Sequence, residues 1–197
     1  MATKTKKHKY IRWFWRIPLA ILATVEFLAV IHIIPYQPQF TSLGLLFTSA
    51  AVWIFLELAQ SFLERRHASI RARWVILIAV TSVYLDAFGD FFFLYARIPH
   101  YDAFLHFFAS ISATVLVWHL LEVGVSKRYS RRFLLTFTVC LVITFGTVYE
   151  ISEYIEDFFT GSHRLGDGFD TANDLLLDSL GALMIVVLWW FKKKFKK

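Results

Sequence analysis

Apolar residues gather into six runs separated by short polar segments: Ile17 to Ile34, Ser42 to Leu63, Trp74 to Arg97, Asp102 to Gly124, Phe133 to Phe159 and Asn173 to Phe191. Each run is close to the ~20 residues that a helix needs to cross a bilayer. The pattern therefore predicts an all-α polytopic membrane protein, with a single transmembrane domain of six helices over residues 17–191. Residues 1–16 form a basic segment before it and residues 192–197 a basic tail after it. The first run could pass for a signal peptide, but PYQPQF follows it where a cleavage site would need small residues, so it reads as a retained helix. Pro18 suits a helix start, and Pro35 and Pro38 suit a turn.

Composition agrees: 57% of residues are hydrophobic and 18% aromatic, with a mean hydropathy of +0.54. The net charge of +6 does not point to nucleic acid, because the basic residues come in clusters between the apolar runs rather than along one surface. Those clusters orient the chain. Of 21 Lys and Arg, only Arg97 and Arg164 lie at the end opposite the termini. Both termini are thus expected in the cytoplasm and the protein in the cytoplasmic (inner) membrane, in contact with membrane lipids. Cys140 stands alone in an apolar run, which excludes an intrachain disulfide and a CxxC zinc site. No loop is long enough for a soluble domain, so function is expected inside the bundle or at its outer mouth.

The acids follow the opposite distribution. Asp86, Asp90, Asp102, Glu150, Glu153, Glu156, Asp157, Asp167, Asp170, Asp174 and Asp178 fall in the outer halves of the last four helices or in the outer loops. A carboxylate near the centre of a spanning helix costs about 2.5–3.5 kcal/mol even on lenient insertion scales, so these groups must be protonated, hydrated or bound to cations. Asp170, Asp174 and Asp178 recur every fourth residue and form one helical stripe; Glu150, Glu153 and Asp157 share a face of the preceding helix. Counted from the expected helix ends, Asp90, His106, Glu150, Glu153 and Asp178 sit roughly 6–12 Å deep, with Asp86 deeper. DAFGDFF at Asp86 and DAFLHFF at Asp102 repeat one pattern, with His106 in the place of Asp90. The candidate metal ligands are accordingly Asp86, Asp90, Asp102, His106, Glu150, Glu153, Asp170, Asp174 and Asp178, with Glu150, Glu153 and His106 as catalytic candidates. Plainer readings exist: Asp102 as an N-cap, Asp170 or Thr171 as the cap of the last helix, Glu156, Asp157 and Asp167 as solvated charges, and Glu26 and Glu57 as a pair or facing a cavity.

HExxH, GxSxG, P-loop, EF-hand and di-iron ExxH patterns are all absent. A carboxylate-rich set with one His suits a divalent metal such as Mg, Mn, Ca or Zn, or Fe. The order YDAFLHFF, YEISEY, GDGFDTANDLLLDSLGAL resembles the YjdF-like family of small bacterial inner-membrane proteins and, more distantly, the VanZ-like proteins. The family pattern falls on Asp102, His106, Glu150, Glu153, Asp170, Asp174 and Gly181. The resemblance implies a multi-helix bacterial membrane protein and supports the site without naming a reaction. Two functions remain open. One is a metal-dependent hydrolase or transferase acting on a lipid or lipid-linked phosphate, with Arg164 and His163 near its head group; the other is a proton- or cation-coupled transporter. A non-catalytic membrane subunit would leave the buried acids unexplained.

Overall fold

The computed structural model describes residues 2–36, 38–66 and 69–194. Among them are seven helices and no strand: α1 (Ala2–Val30), α2 (Ser42–Arg65), α3 (Ser69–Phe91), the single turn α4 (Leu94–Arg97), α5 (Tyr101–Val125), α6 (Arg131–Thr160) and α7 (Gly168–Lys194). Six of them, all but α4, are long and apolar enough to cross a membrane. Apolar side chains such as Phe47, Ile54, Leu58, Val148 and Leu188 stand exposed on the outer faces, as contact with lipid requires. Met1, the tail residues Phe195 to Lys197 and the side chains of the basic segment through Arg12 lie outside the described residues.

Several boundaries differ from those expected. α1 ends at Val30, four residues early, where His32 takes a left-handed conformation. The third span stops at Phe91 instead of Arg97, because Phe93 (φ 56°) breaks the helix and α4 restarts it for one turn. The last helix begins at Gly168 instead of Asn173, with Asp167 accepting from the backbone N–H of Phe169 (2.8 Å) and Asp170 (2.9 Å). Asp167 is thus the capping residue, not Asp170 or Thr171. Asp102 is no cap either: it lies in the first turn of α5, whose N-cap position is His100.

Two apolar clusters hold the bundle. Trp15, Leu19 and Leu22 of α1 pack with Leu56 of α2, Ile76 and Val80 of α3 and Leu116 of α5; Val117, Val142 and Ala182 join α5, α6 and α7. Polar contacts add to the first cluster. Arg16 pairs with Glu57 (Nε to Oε1 2.5 Å), and Trp15 donates to Gln60. Glu26 instead accepts from Ser49 Oγ at 3.0 Å, so Glu26 and Glu57 do not pair with each other. The most extensive helix packing joins α5 and α7. Gly181 permits it: a Cβ there would meet the Phe107 carbonyl oxygen at 2.7 Å and Ser110 Cβ at 2.8 Å.

Candidate metal centre

The ends of α1, α3 and α6 and the starts of α2, α5 and α7 lie together, and the acids collect at this end. With α3 ending at Phe91, Asp90 is in its last turn and Asp86 only about 8 Å inside. His106, Asp174 and Glu153 lie roughly 8–11 Å from their helix ends, and Glu150 and Asp178 about 15 Å. The expected layer therefore resolves into two neighbouring networks, one centred on His106 and one on Arg164.

His106 is buried on α5 between acids from two other helices. Its Nε2 faces Asp102 Oδ1 at 3.8 Å, one turn earlier on α5, and Glu150 Oε1 at 3.6 Å on α6; its Nδ1 faces Asp178 Oδ1 at 3.4 Å on α7. Asp178 is in turn fixed by Ser110 Oγ, which donates to Oδ1 at 2.7 Å. Gly146 of α6 makes room for that carboxylate, since a Cβ there would overlap it. One ligand atom from each of Asp102, His106 and Asp174 lies within 4.8 Å of the others. At ~2.0–2.6 Å per metal–ligand bond, donors on one ion stand up to roughly 5 Å apart, so the three fit around a single ion. Both oxygens of Glu150, Asp174 Oδ1 and Asp178 Oδ2 are buried with no hydrogen-bond partner. Buried carboxylate oxygens ordinarily have partners, and a cation is the partner that this donor set fits.

Asp178 on Nδ1 leaves Nε2 directed toward Asp102 and Glu150. A carboxylate behind a ligating imidazole is the usual means of fixing its tautomer and raising its basicity. The Tyr149 ring meets the His106 ring edge-on, with centroids 5.9 Å apart, and closes that side.

The second network pairs two further acids, Asp86 and Glu153, with one arginine. Arg164 lies in the loop between α6 and α7, yet its side chain is buried. Its Nε donates to Glu153 Oε1 at 2.8 Å, and its Nη2 reaches Tyr149 Oη at 2.6 Å and Asp86 Oδ1 at 3.2 Å. The guanidinium also lies over the rings of Phe40 and Tyr149. Tyr95 Oη donates to the same Asp86 oxygen at 2.5 Å; burial and that carboxylate push the phenol well above its ordinary range, so it remains a donor. Asp157 holds the loop itself, accepting from the N–H of Arg164 at 2.7 Å and of Leu165 at 2.9 Å. Asp157 therefore does more than sit solvated, and Glu156 likewise accepts from Thr41 Oγ1 of the α2 cap. Arg164 is turned inward and already paired, while His163 beside it is exposed.

Of the nine candidate ligands, the fold brings Asp102, His106, Glu150, Asp174 and Asp178 together. Glu153 and Asp86 face Arg164. Asp90 is fully buried against the α1–α2 segment, where Phe40 N–H donates to Oδ1 at 2.9 Å and Tyr36 Oη to its carbonyl at 2.7 Å. Asp170 is exposed above Asp174. The two DAF patterns thus diverge: Asp102 and His106 share the cluster, whereas Asp86 and Asp90 are held by a loop arginine and a loop backbone. Sequence reasoning missed Ser110, Tyr149 and Tyr95. Ser110 carried a signal, being four residues after His106 on the same helical face.

No curated protein and no solved structure matches the chain. A family model described as "Predicted membrane protein (DUF2238)" matches residues 17–195, from the first span through the last. With that match over nearly the whole chain and six helices fit to cross a bilayer, the protein belongs to the DUF2238 family of multi-pass membrane proteins.

Proposed function

We propose that this protein is a metal-dependent membrane enzyme that hydrolyses or transfers a lipid or lipid-linked phosphate at the extracytoplasmic side of the inner membrane. The observation that carries the reading is the convergence of Asp102, His106 and Asp174 ligand atoms within 4.8 Å, beside buried carboxylate oxygens that lack partners. Asp102, His106 and Asp174 hold the ion, with Mg, Mn, Ca and Zn as candidates. When bound, such an ion supplies Lewis acidity and eases deprotonation of water near neutral pH. Asp178 orients His106 through Nδ1, and Ser110 orients Asp178. Glu150 has both oxygens unpartnered and one of them 3.6 Å from His106, so it is the group placed to accept a proton from attacking water and return it to the leaving oxygen. Glu153, held by Arg164, shapes the outer wall and handles no proton in this scheme. Membership of the DUF2238 family accords with the YjdF-like resemblance; the VanZ-like one adds no further residue.

The second reading is a proton- or cation-coupled transporter. It is favoured by the depth of Glu150, about 15 Å inside α6 and without hydrogen-bond partners. A liposome assay separates the two. The enzyme reading predicts Mn- or Mg-dependent phosphate release from phosphatidic acid or isoprenyl phosphates, lost in Glu150→Gln while bound metal is retained. Absence of release on every substrate, together with proton flux that Glu150→Gln abolishes, would replace the enzyme by the transporter.

A further inference from the structure

Below the His106 cluster lies a cavity of about 400 Å³ running toward the middle of the bundle. Asp102, His106 and Asp178 stand at its polar end, and Leu56, Leu116 and Val142 at its apolar end. Ser82 and Ser112 also line it, but Ser82 donates to the Ala79 carbonyl and Ser112 to that of Phe108. The deeper walls thus offer little to water.

The cavity has a side opening. Its lining includes Ala51 and Phe55 of α2 and Phe145 of α6, all exposed on the lipid-facing surface. α2 and α6 do not pack along their lengths; they are bridged by the Thr41–Glu156 hydrogen bond at the acidic end and by the Phe55 and Phe145 rings, 6.2 Å apart, farther in. The space between these bridges faces the hydrocarbon of the bilayer. What surrounds that opening is lipid, and what lies at its inner polar end is the candidate cation site.

We propose that this cavity is the slot for one hydrocarbon chain of a single-chain lipid phosphate, which enters between α2 and α6 and brings its phosphate to the Asp102–His106–Asp174 cluster. The head-group half rests on the metal reading above, because the four acids around His106 would repel a phosphate without a cation; the chain half rests on the cavity alone. At roughly 30 Å³ per water-sized group, the volume takes about a dozen methylene-sized groups, one chain and not two. A diacyl lipid would have to leave its second chain outside the α2–α6 opening.

Native mass spectrometry of the full chain in phosphatidylcholine nanodiscs tests both halves, with farnesyl phosphate, farnesol and diacyl phosphatidic acid as probes. Farnesyl phosphate is expected to bind at one equivalent, with EDTA weakening it about tenfold while leaving farnesol unchanged. Ala113→Phe, which fills the slot, is expected to weaken both farnesyl probes about tenfold with metal content retained. Ala51→Phe, at an exposed position at the mouth, does the same if Ala113→Phe fails to fold. No farnesyl probe on the parent protein, equal binding by the filled variants, or phosphatidic acid binding as well as farnesyl phosphate would each overturn the slot. Chain binding that the filled variants lose but EDTA never affects would overturn the metal reading and the phosphate half, and uphold the chain half.

Discussion

At the scale of single residues, the chemistry depends on which acids are already paired. Asp86 and Glu153 share the Arg164 guanidinium, and Asp90 is tied to the Tyr36–Phe40 segment, so three of the nine candidate ligands are held for the fold. Burial alone would lower the Arg164 group, but Tyr149, Asp86 and Glu153 around it hold it above its ordinary range, and it remains a cation. Removing one partner of a buried ion pair exposes the other to full desolvation. Arg164→Leu is therefore expected to destabilise the protein by about 3–5 kcal/mol, read as a lowered melting temperature in detergent; a melting point equal to that of the parent would mean the pair is hydrated. In the proposed metal scheme Asp178 acts through His106, whose Nδ1 it faces at 3.4 Å, and not by contact with the ion. Asp178→Asn should lower metal affinity about 10–100-fold without abolishing binding, whereas Asp174→Asn removes a ligand and should abolish it. Equal effects of the two would contradict this division of roles.

The elements explain why part of this was legible in the sequence and part was not. Period and hydropathy give six spans and their faces, so the Asp102–His106 pair, Glu150 and the Asp174–Asp178 stripe could all be placed on inward-facing surfaces. Pairing between elements could not be read. Arg164 is a loop residue, and nothing local indicates that a loop held by Asp157 folds it inward onto α3 and α6. The break at Phe93 is likewise silent, because a bulky aromatic with φ 56° runs against local preference and rests on tertiary contacts. Glycine was more informative. Gly146→Ala is expected to displace the Asp178 carboxylate and lower metal affinity while the six helices persist by circular dichroism. Gly181→Leu drives a side chain into the α5 backbone and should cost at least about 1–3 kcal/mol. Unchanged metal binding in the first variant, or unchanged melting in the second, would contradict the α5–α6–α7 packing.

Across the whole molecule, orientation decides what the site can reach. Nineteen of 21 Lys and Arg lie on the side of the termini, and the positive-inside rule therefore predicts an extracytoplasmic position for the acidic end and its cavity. In a Cys140→Ser background, a cysteine at Ser162 should react with an impermeant maleimide added to intact cells, and one at Lys127 only after permeabilisation. The reverse pattern would place the site in the cytoplasm and turn attention to cytoplasmic phosphates. The same charge asymmetry leaves the acids with few cations of their own: Arg164 satisfies one network, and the His106 cluster keeps buried oxygens without partners.

Metal occupancy tests that last point most directly. The measurement is elemental analysis of the protein purified in mild detergent without chelator, with melting followed before and after EDTA and after re-addition of Mg, Mn, Ca or Zn. Bound metal near one equivalent is expected, with a melting temperature that EDTA lowers and one of these ions restores, and with neither metal nor EDTA effect in Asp174→Asn. No metal in the parent protein and melting indifferent to chelator and ions alike would contradict the metal reading.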